Sequence, residues 1–183
     1  MVYDPEKHQC RSIRLCRYDY TWSGAYFVTL CVHNRTCIFG SIIEEEMILN
    51  RYGDVAQREW LKTEEVRNNI KLDEFIIMPN HLHGIIVITQ NDRTNRFSLN
   101  RPAPILYRRT IGSVIGQFKS IVTKQIWAMG RHDFKWQRNY YEHIIRDQES
   151  LNKIRQYIKE NPIRWKYNGN VNRRGDPVGR PRA

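Results

Sequence analysis

The stretch Phe75-Ile-Ile-Met-Pro-Asn-His-Leu-His-Gly-Ile-Ile-Val-Ile88 sets two histidines one residue apart inside an apolar run. Ile-Ile-Met before Pro79-Asn80, with a second apolar run after them, reads as a β-hairpin whose turn exploits the fixed φ of proline. Side chains alternate along a strand, so on a strand over 81–88 His81 and His83 share one face. Two neutral imidazoles on one buried face can hold a divalent metal. They can equally be core histidines, each costly to bury without a hydrogen-bond partner. With six histidines in the chain, a His-x-His triplet arises by chance roughly 0.2 times, so its meaning depends on what the rest of the chain brings to it.

A length of 183 residues suits a single domain, with a basic N-terminal arm over about 1–22 and a loose basic tail over about 166–183. Thirty Lys and Arg against 19 Asp and Glu give a net charge of +11, which implies a polyanionic partner, nucleic acid first. No apolar run approaches the roughly 20 residues of a spanning helix, so no membrane partner is expected. The N-terminal MVYDPEKHQC lacks the apolar core of a signal peptide. The expectation is a cytoplasmic, nucleoid-associated protein. Cys10, Cys16, Cys31 and Cys37 are spaced more widely than in structural zinc sites and read as reduced thiols.

Within the arm, Arg11, Arg14 and Arg17 interleave with Ile13, Leu15, Tyr18 and Tyr20, a pattern that suits phosphate contacts and base stacking as well as a solvated segment. Ala25 to His33 reads as a first strand, and residues 34–50 as a connector. Apolar positions 52, 55, 56, 60 and 61 predict a helix from Tyr52 to Val66, and the hairpin spans roughly 70–89. A long basic loop is expected over 90–110, then a helix from Ile111 to Trp127. Phe134 to Ile145 reads as a last strand or extended segment, on which Trp136, Arg138 and Tyr140 would share a face, to stack on bases or to pack in the core. Asp147 is suited to cap a helix running to Asn161, which Pro162 ends. This order predicts an α+β chain: a ferredoxin-like, split βαβ antiparallel sheet with helices on one face and an added C-terminal helix.

That last helix carries Tyr157 and Asn161 four residues apart, hence on one face. Leu151, Ile154 and Ile158 lie beside that face and should turn it to the sheet, where it can meet His81 and His83. Tyrosine offers a nucleophile, and the asparagine carbonyl a neutral oxygen to complete a metal site.

Met78-Pro-Asn-His-Leu-His-Gly84, Gly24-Ala-Tyr-Phe-Val-Thr29, Trp136-Gln-Arg-Asn-Tyr-Tyr-Glu-His-Ile-Ile-Arg146 and Ile154-Arg-Gln-Tyr-Ile-Lys-Glu-Asn-Pro162 together resemble the REP-associated tyrosine transposases of bacteria, single-tyrosine members of the HUH (His, hydrophobic, His) nucleases. The likeness runs in order from about Arg11 to Trp165. It implies that Tyr157 is the nucleophile and that His81, His83 and Asn161 bind a divalent metal, Mg²⁺ or Mn²⁺. The implied partner is single-stranded DNA folded into a REP-like palindromic hairpin, cut to leave a 5′-phosphotyrosine link and a free 3′-hydroxyl that allows rejoining. The protein would act as a monomer or homodimer. Basicity near the motifs nominates Arg14, Lys119, Lys124, Arg138 and Arg146 for phosphate contacts. Imidazole suits Mn²⁺ and later metals better than Mg²⁺, which leaves the ion open. Two other readings stand beside this one. An HUH replication initiator or relaxase-like nicking enzyme shares the chemistry; a noncatalytic RRM-like module shares the sheet, but the chain has no run of RNP1 type.

Overall fold

A computed structural model of the chain describes residues 23–89 and 110–168. The expected arm with Arg14, Cys10 and Cys16, the basic loop over 90–109 and the tail beyond 168 lie outside the described residues.

The sheet grows outward from the hairpin. Strand β4 (Ile70–Met78) turns through Pro79-Asn80 into β5 (His81–Ile88), and β5 pairs along its whole length with β1 (Gly24–Cys31). A short β6 (Tyr141–Ile145) closes the other side of β1, giving the order β4-β5-β1-β6 with every neighbour antiparallel. The expected strand from Phe134 is therefore five residues long at its C-terminal end, preceded by a lone bridge between Trp136 and Val32. A 3₁₀ turn (His33–Arg35) and a separate two-stranded ribbon, β2 (Gly40–Ile43) and β3 (Glu46–Leu49), occupy the stretch expected to be a connector.

Period-2 alternation divides the sheet into two faces. Tyr26, Val28, Leu30, Leu82 and Ile86 point to one, against α1 (Arg51–Glu65) and α2 (Ile111–Ala128). Side chains at their N-caps satisfy the first free amides of both helices: Asn50 accepts from Tyr52 and Gly53, and Thr110 from Ser113. Phe27, Ile85 and Ile76 point to the other face, covered by α3 (Gln148–Lys159) through the buried Ile154 and Ile158. The helices are thus split between the two faces, α1 and α2 against one and α3 against its opposite.

Asp147 caps α3 as expected, accepting from Ser150 at 2.7 Å. The helix ends at Lys159, and after Glu160 the chain enters α4 (Asn161–Asn168), which takes in the first residues of the expected loose tail. Pro162 falls in the first turn of α4, where a missing N–H costs nothing, so it opens a helix as well as following one. Among the described residues no helix is long and apolar enough to cross a membrane.

Candidate active site

β5 carries His81 and His83 onto the α3 face, opposite Cys31 and Thr29 in the register with β1. Both imidazoles are wholly buried. Their Nε2 atoms stand 3.0 Å apart, and each Nδ1 is engaged elsewhere: His81 with Asn80 Oδ1 at 2.7 Å, His83 with Thr29 Oγ1 at 2.8 Å. Phe27 lies stacked beside His83, their ring centroids 5.4 Å apart.

Placement of α3 follows from its sequence. Ile154 and Ile158 anchor it on the sheet, while a bulge between Leu72 and Phe75 of β4 offers Asp73 and Glu74 as charged partners. Arg155 grips both oxygens of Asp73 (Nε to Oδ1 2.8 Å, Nη2 to Oδ2 2.6 Å), and Lys159 reaches Glu74 at 3.0 Å. So held, α3 presents Tyr157 Oη 3.3 Å from His83 Nε2, with its ring edge-on to Phe27. Asn161, which begins α4 and is buried, hydrogen-bonds both His81 and Tyr157. Two further residues of α4 close around the cluster. The Trp165 ring lies 5.8 Å from that of His81, and the Arg164 guanidinium 5.9 Å from the Tyr157 ring while it pairs with Glu160.

Electrostatics keeps both histidines neutral. Burial, with the nearby Arg35 charge, lowers the pKa of His81 to about 3 despite its bond to Asn161, and burial together with His81 holds His83 well below the ordinary imidazole value. Burial raises the Tyr157 phenol, against the Asn161 hydrogen bond and the Arg164 charge, which both favour the phenolate.

The donor set suits a divalent ion. Two nitrogens about 2.1 Å from one ion and at right angles lie about 3.0 Å apart, the separation seen here. Asn161, buried beside them, offers a neutral oxygen that could serve as a third protein ligand.

Four residues singled out in the sequence, His81, His83, Tyr157 and Asn161, therefore converge. Lys119 donates to the carbonyls of Gln137 (2.9 Å) and Asn139 (3.2 Å) and lies beside the Trp136 and Tyr140 rings; burial lowers its pKa to about 8. Lys124, Arg138 and Arg146 are exposed. Trp136 does not present a base-stacking face, because its ring packs among Phe39, Phe118 and Phe134. Sequence reading missed Thr29, Asn80 and Arg164. Asn80 was within sight, as the neighbour of His81 in the turn, whereas Thr29 needed the strand register.

No protein-family model matches the chain. It is 43% identical over 170 residues to an uncharacterised protein of Haemophilus influenzae, covering 89% of this chain and 93% of that one. A second protein of H. influenzae, described provisionally as a REP-associated tyrosine transposase, is 26% identical over 157 residues, 82% of this chain and 77% of its own. Among solved structures, a REP-associated tyrosine transposase bound to a REP hairpin superposes with a TM-score of 0.58 at 19% identity, covering 83% of this chain and 74% of that one. The chain thus resembles the REP-associated tyrosine transposases in sequence and shares their fold.

Proposed function

From this likeness we propose that the chain is a metal-dependent endonuclease and strand transferase that recognises hairpin-forming single-stranded DNA, with Tyr157 as nucleophile. The observation that carries the reading is the approach of Tyr157 Oη to within 3.3 Å of His83 Nε2, beside a second neutral histidine and the Asn161 amide. The strand order β4-β5-β1-β6, with α1 and α2 as the two crossovers, supports a ferredoxin-like split βαβ core.

In the reaction, Tyr157 Oη attacks the scissile phosphorus. A P–Oη bond forms as the bond from phosphorus to the 3′ oxygen breaks, and the net proton passes from the phenol to the leaving 3′ oxygen. The 5′-phosphotyrosine conserves the phosphodiester, so another 3′-hydroxyl can reverse the step without ATP. His81, His83 and Asn161 would hold the ion, Mg²⁺ or Mn²⁺, which when bound would supply Lewis-acid stabilisation of charge on the phosphate. Burial favours the protonated phenol, while Asn161 and Arg164 favour the phenolate as its proton leaves. Phe27 and α3 hold the ring at the required distance. Phosphate contacts fall to the exposed Lys124, Arg138 and Arg146, with Lys119 shaping the 137–139 segment through its carbonyl bonds.

The test is a single-stranded oligonucleotide containing a palindromic hairpin, incubated with the protein and Mn²⁺ or Mg²⁺ and resolved on a denaturing gel. Cleavage with a protein-linked product is expected from wild type, and none from Tyr157→Phe. Absence of cleavage in wild type, or undiminished cleavage in the variant, would refute the assignment.

A further inference from the structure

The two histidines are held by unlike partners, and the difference has a chemical consequence. Asn80 Nδ2 donates to the Arg35 carbonyl at 3.0 Å, a bond only the amide nitrogen can make, which turns Asn80 Oδ1 toward His81 Nδ1 at 2.7 Å. An amide oxygen only accepts, so His81 keeps its proton on Nδ1 and presents a bare lone pair on Nε2. That lone pair faces His83 Nε2 at 3.0 Å, and both rings are wholly buried, which disfavours a second proton on either. Two bare lone pairs at this distance repel. Of the neighbours of His83 Nε2, His81 Nε2 at 3.0 Å is nearer than Tyr157 Oη at 3.3 Å, so with no metal bound the arrangement closes best with the proton on His83 Nε2, donated to His81. His83 Nδ1 is then an acceptor, and the Thr29 hydroxyl donates to it at 2.8 Å.

A metal ligand must offer a lone pair, so for both Nε2 atoms to ligate one ion the His83 proton has to move from Nε2 to Nδ1, with no change in net charge. The residue facing Nδ1 must accept a hydrogen bond after this move where it donated one before. A hydroxyl does both by rotating; a carbonyl or an amide N–H does only one. We propose that Thr29 is a positioning residue that lets His83 exchange tautomers, Nε2–H when metal-free and Nδ1–H when metal-bound, while Asn80 fixes His81 in a single tautomer. This inference rests on the metal reading above. It assigns Thr29 and Asn80 distinct duties: one holds a ligand ready, and the other makes the second ligand's readiness conditional on the ion.

The test uses the full chain labelled with [¹⁵N]histidine. Two-bond ¹H–¹⁵N correlations report the tautomer of each ring, first without metal and then with Zn²⁺, a diamagnetic probe that imidazole binds well. His81 is expected to be Nδ1–H in both states, and His83 to change from Nε2–H to Nδ1–H. In Thr29→Val, which keeps the β-branched shape without the hydroxyl, Zn²⁺ affinity should fall roughly 10- to 100-fold, the usual loss when such an outer partner is removed. Thr29→Ser, which keeps the hydroxyl alone, should restore it. A His83 already Nδ1–H without metal, equal Zn²⁺ affinity in wild type and Thr29→Val, or failure of Thr29→Ser to recover affinity would each overturn the proposal while leaving the metal reading intact. Absence of Zn²⁺ binding by wild type would overturn both.

Discussion

Gly84, which directly follows His83, is a glycine for want of space, and Gly84→Ala should cost far more than a methyl group ordinarily does. A Cβ built there would lie 2.4 Å from Trp60 Cζ2, 3.1 Å from Cε2 and 3.2 Å from Cη2. Carbon atoms settle at about 3.5–4.0 Å, so β5 and the indole must separate by about 1 Å. Trp60 cannot retreat cheaply, because it is wholly buried against the edge of Phe118 and beside Phe75. Overpacking of this kind costs about 1–3 kcal/mol, and the severity of the overlap places Gly84→Ala near 3. All three contacted atoms belong to the six-membered ring of the indole, so Trp60→Phe removes the obstacle while creating a cavity of its own. Urea unfolding of wild type, both single variants and the double variant forms a closed cycle. The double variant should be more stable than the sum of the single effects by about 1–2 kcal/mol. Additivity within about 0.5 kcal/mol, or a Gly84→Ala protein as stable as wild type, would refute the reasoning.

Three further outcomes follow from the same contacts. His81→Ala should abolish cleavage of the hairpin oligonucleotide while leaving its affinity, measured by gel shift, largely intact; parallel loss of both would mean that His81 serves the fold. Ile158→Ala removes a side chain 1% exposed beneath α3 and should lower stability to urea by about 3 kcal/mol, with faster amide exchange in Gln148–Lys159 than in α1. The Arg155 hydrogen bonds hold the Asp73 carboxyl below its ordinary value, so the stability they contribute is present above the unfolded aspartate pKa of about 3.9 and disappears as pH falls through the lower folded value. The deficit of Asp73→Asn relative to wild type in thermal unfolding should therefore be greater at pH 7 than at pH 3.

The hairpin, the α1 and α2 stripes and the Asp147 cap were legible because each follows from local rules: alternation, a 3.6-residue period and an oxygen placed before the first turn. So was the shared face of His81 and His83, which a single strand determines. The β2–β3 ribbon escaped because its turn residues, Glu44 and Glu45, adopt φ of 50° and 67°, where glycine or asparagine is the usual signal. Three consecutive glutamates carry no such signal, and residues 34–50 read as a connector. Phe134 to Tyr140, readable as a strand or an extended segment, is the latter. Its aromatics imitate a strand, yet they pack on the core, and the segment's backbone bonds go to His33, Cys31 and the Lys119 side chain rather than to a continuous ladder. Pro162 carries both meanings of proline, an end to one helix and the opening turn of the next, and only the path of the chain after Glu160 decides between them. Within the site, Tyr157 and Asn161 were paired by helical spacing and meet as expected, though from two helices. Thr29, 54 residues from His83, becomes visible only through the register of β1 with β5.

The central claim is that Tyr157 and no other tyrosine forms the covalent bond to DNA. Trypsin cuts after Arg155 and Lys159 and so isolates Tyr157 as the only tyrosine of Gln156–Lys159, while Tyr140 and Tyr141 leave together in the peptide from Asn139 to Arg146. After reaction with the hairpin oligonucleotide and nuclease trimming, mass spectrometry should find the nucleotide 5′-phosphate on Gln156-Tyr-Ile-Lys159. A nucleotide on the Asn139–Arg146 peptide, or no adduct on any tyrosine while the DNA is nonetheless cut, would contradict the account.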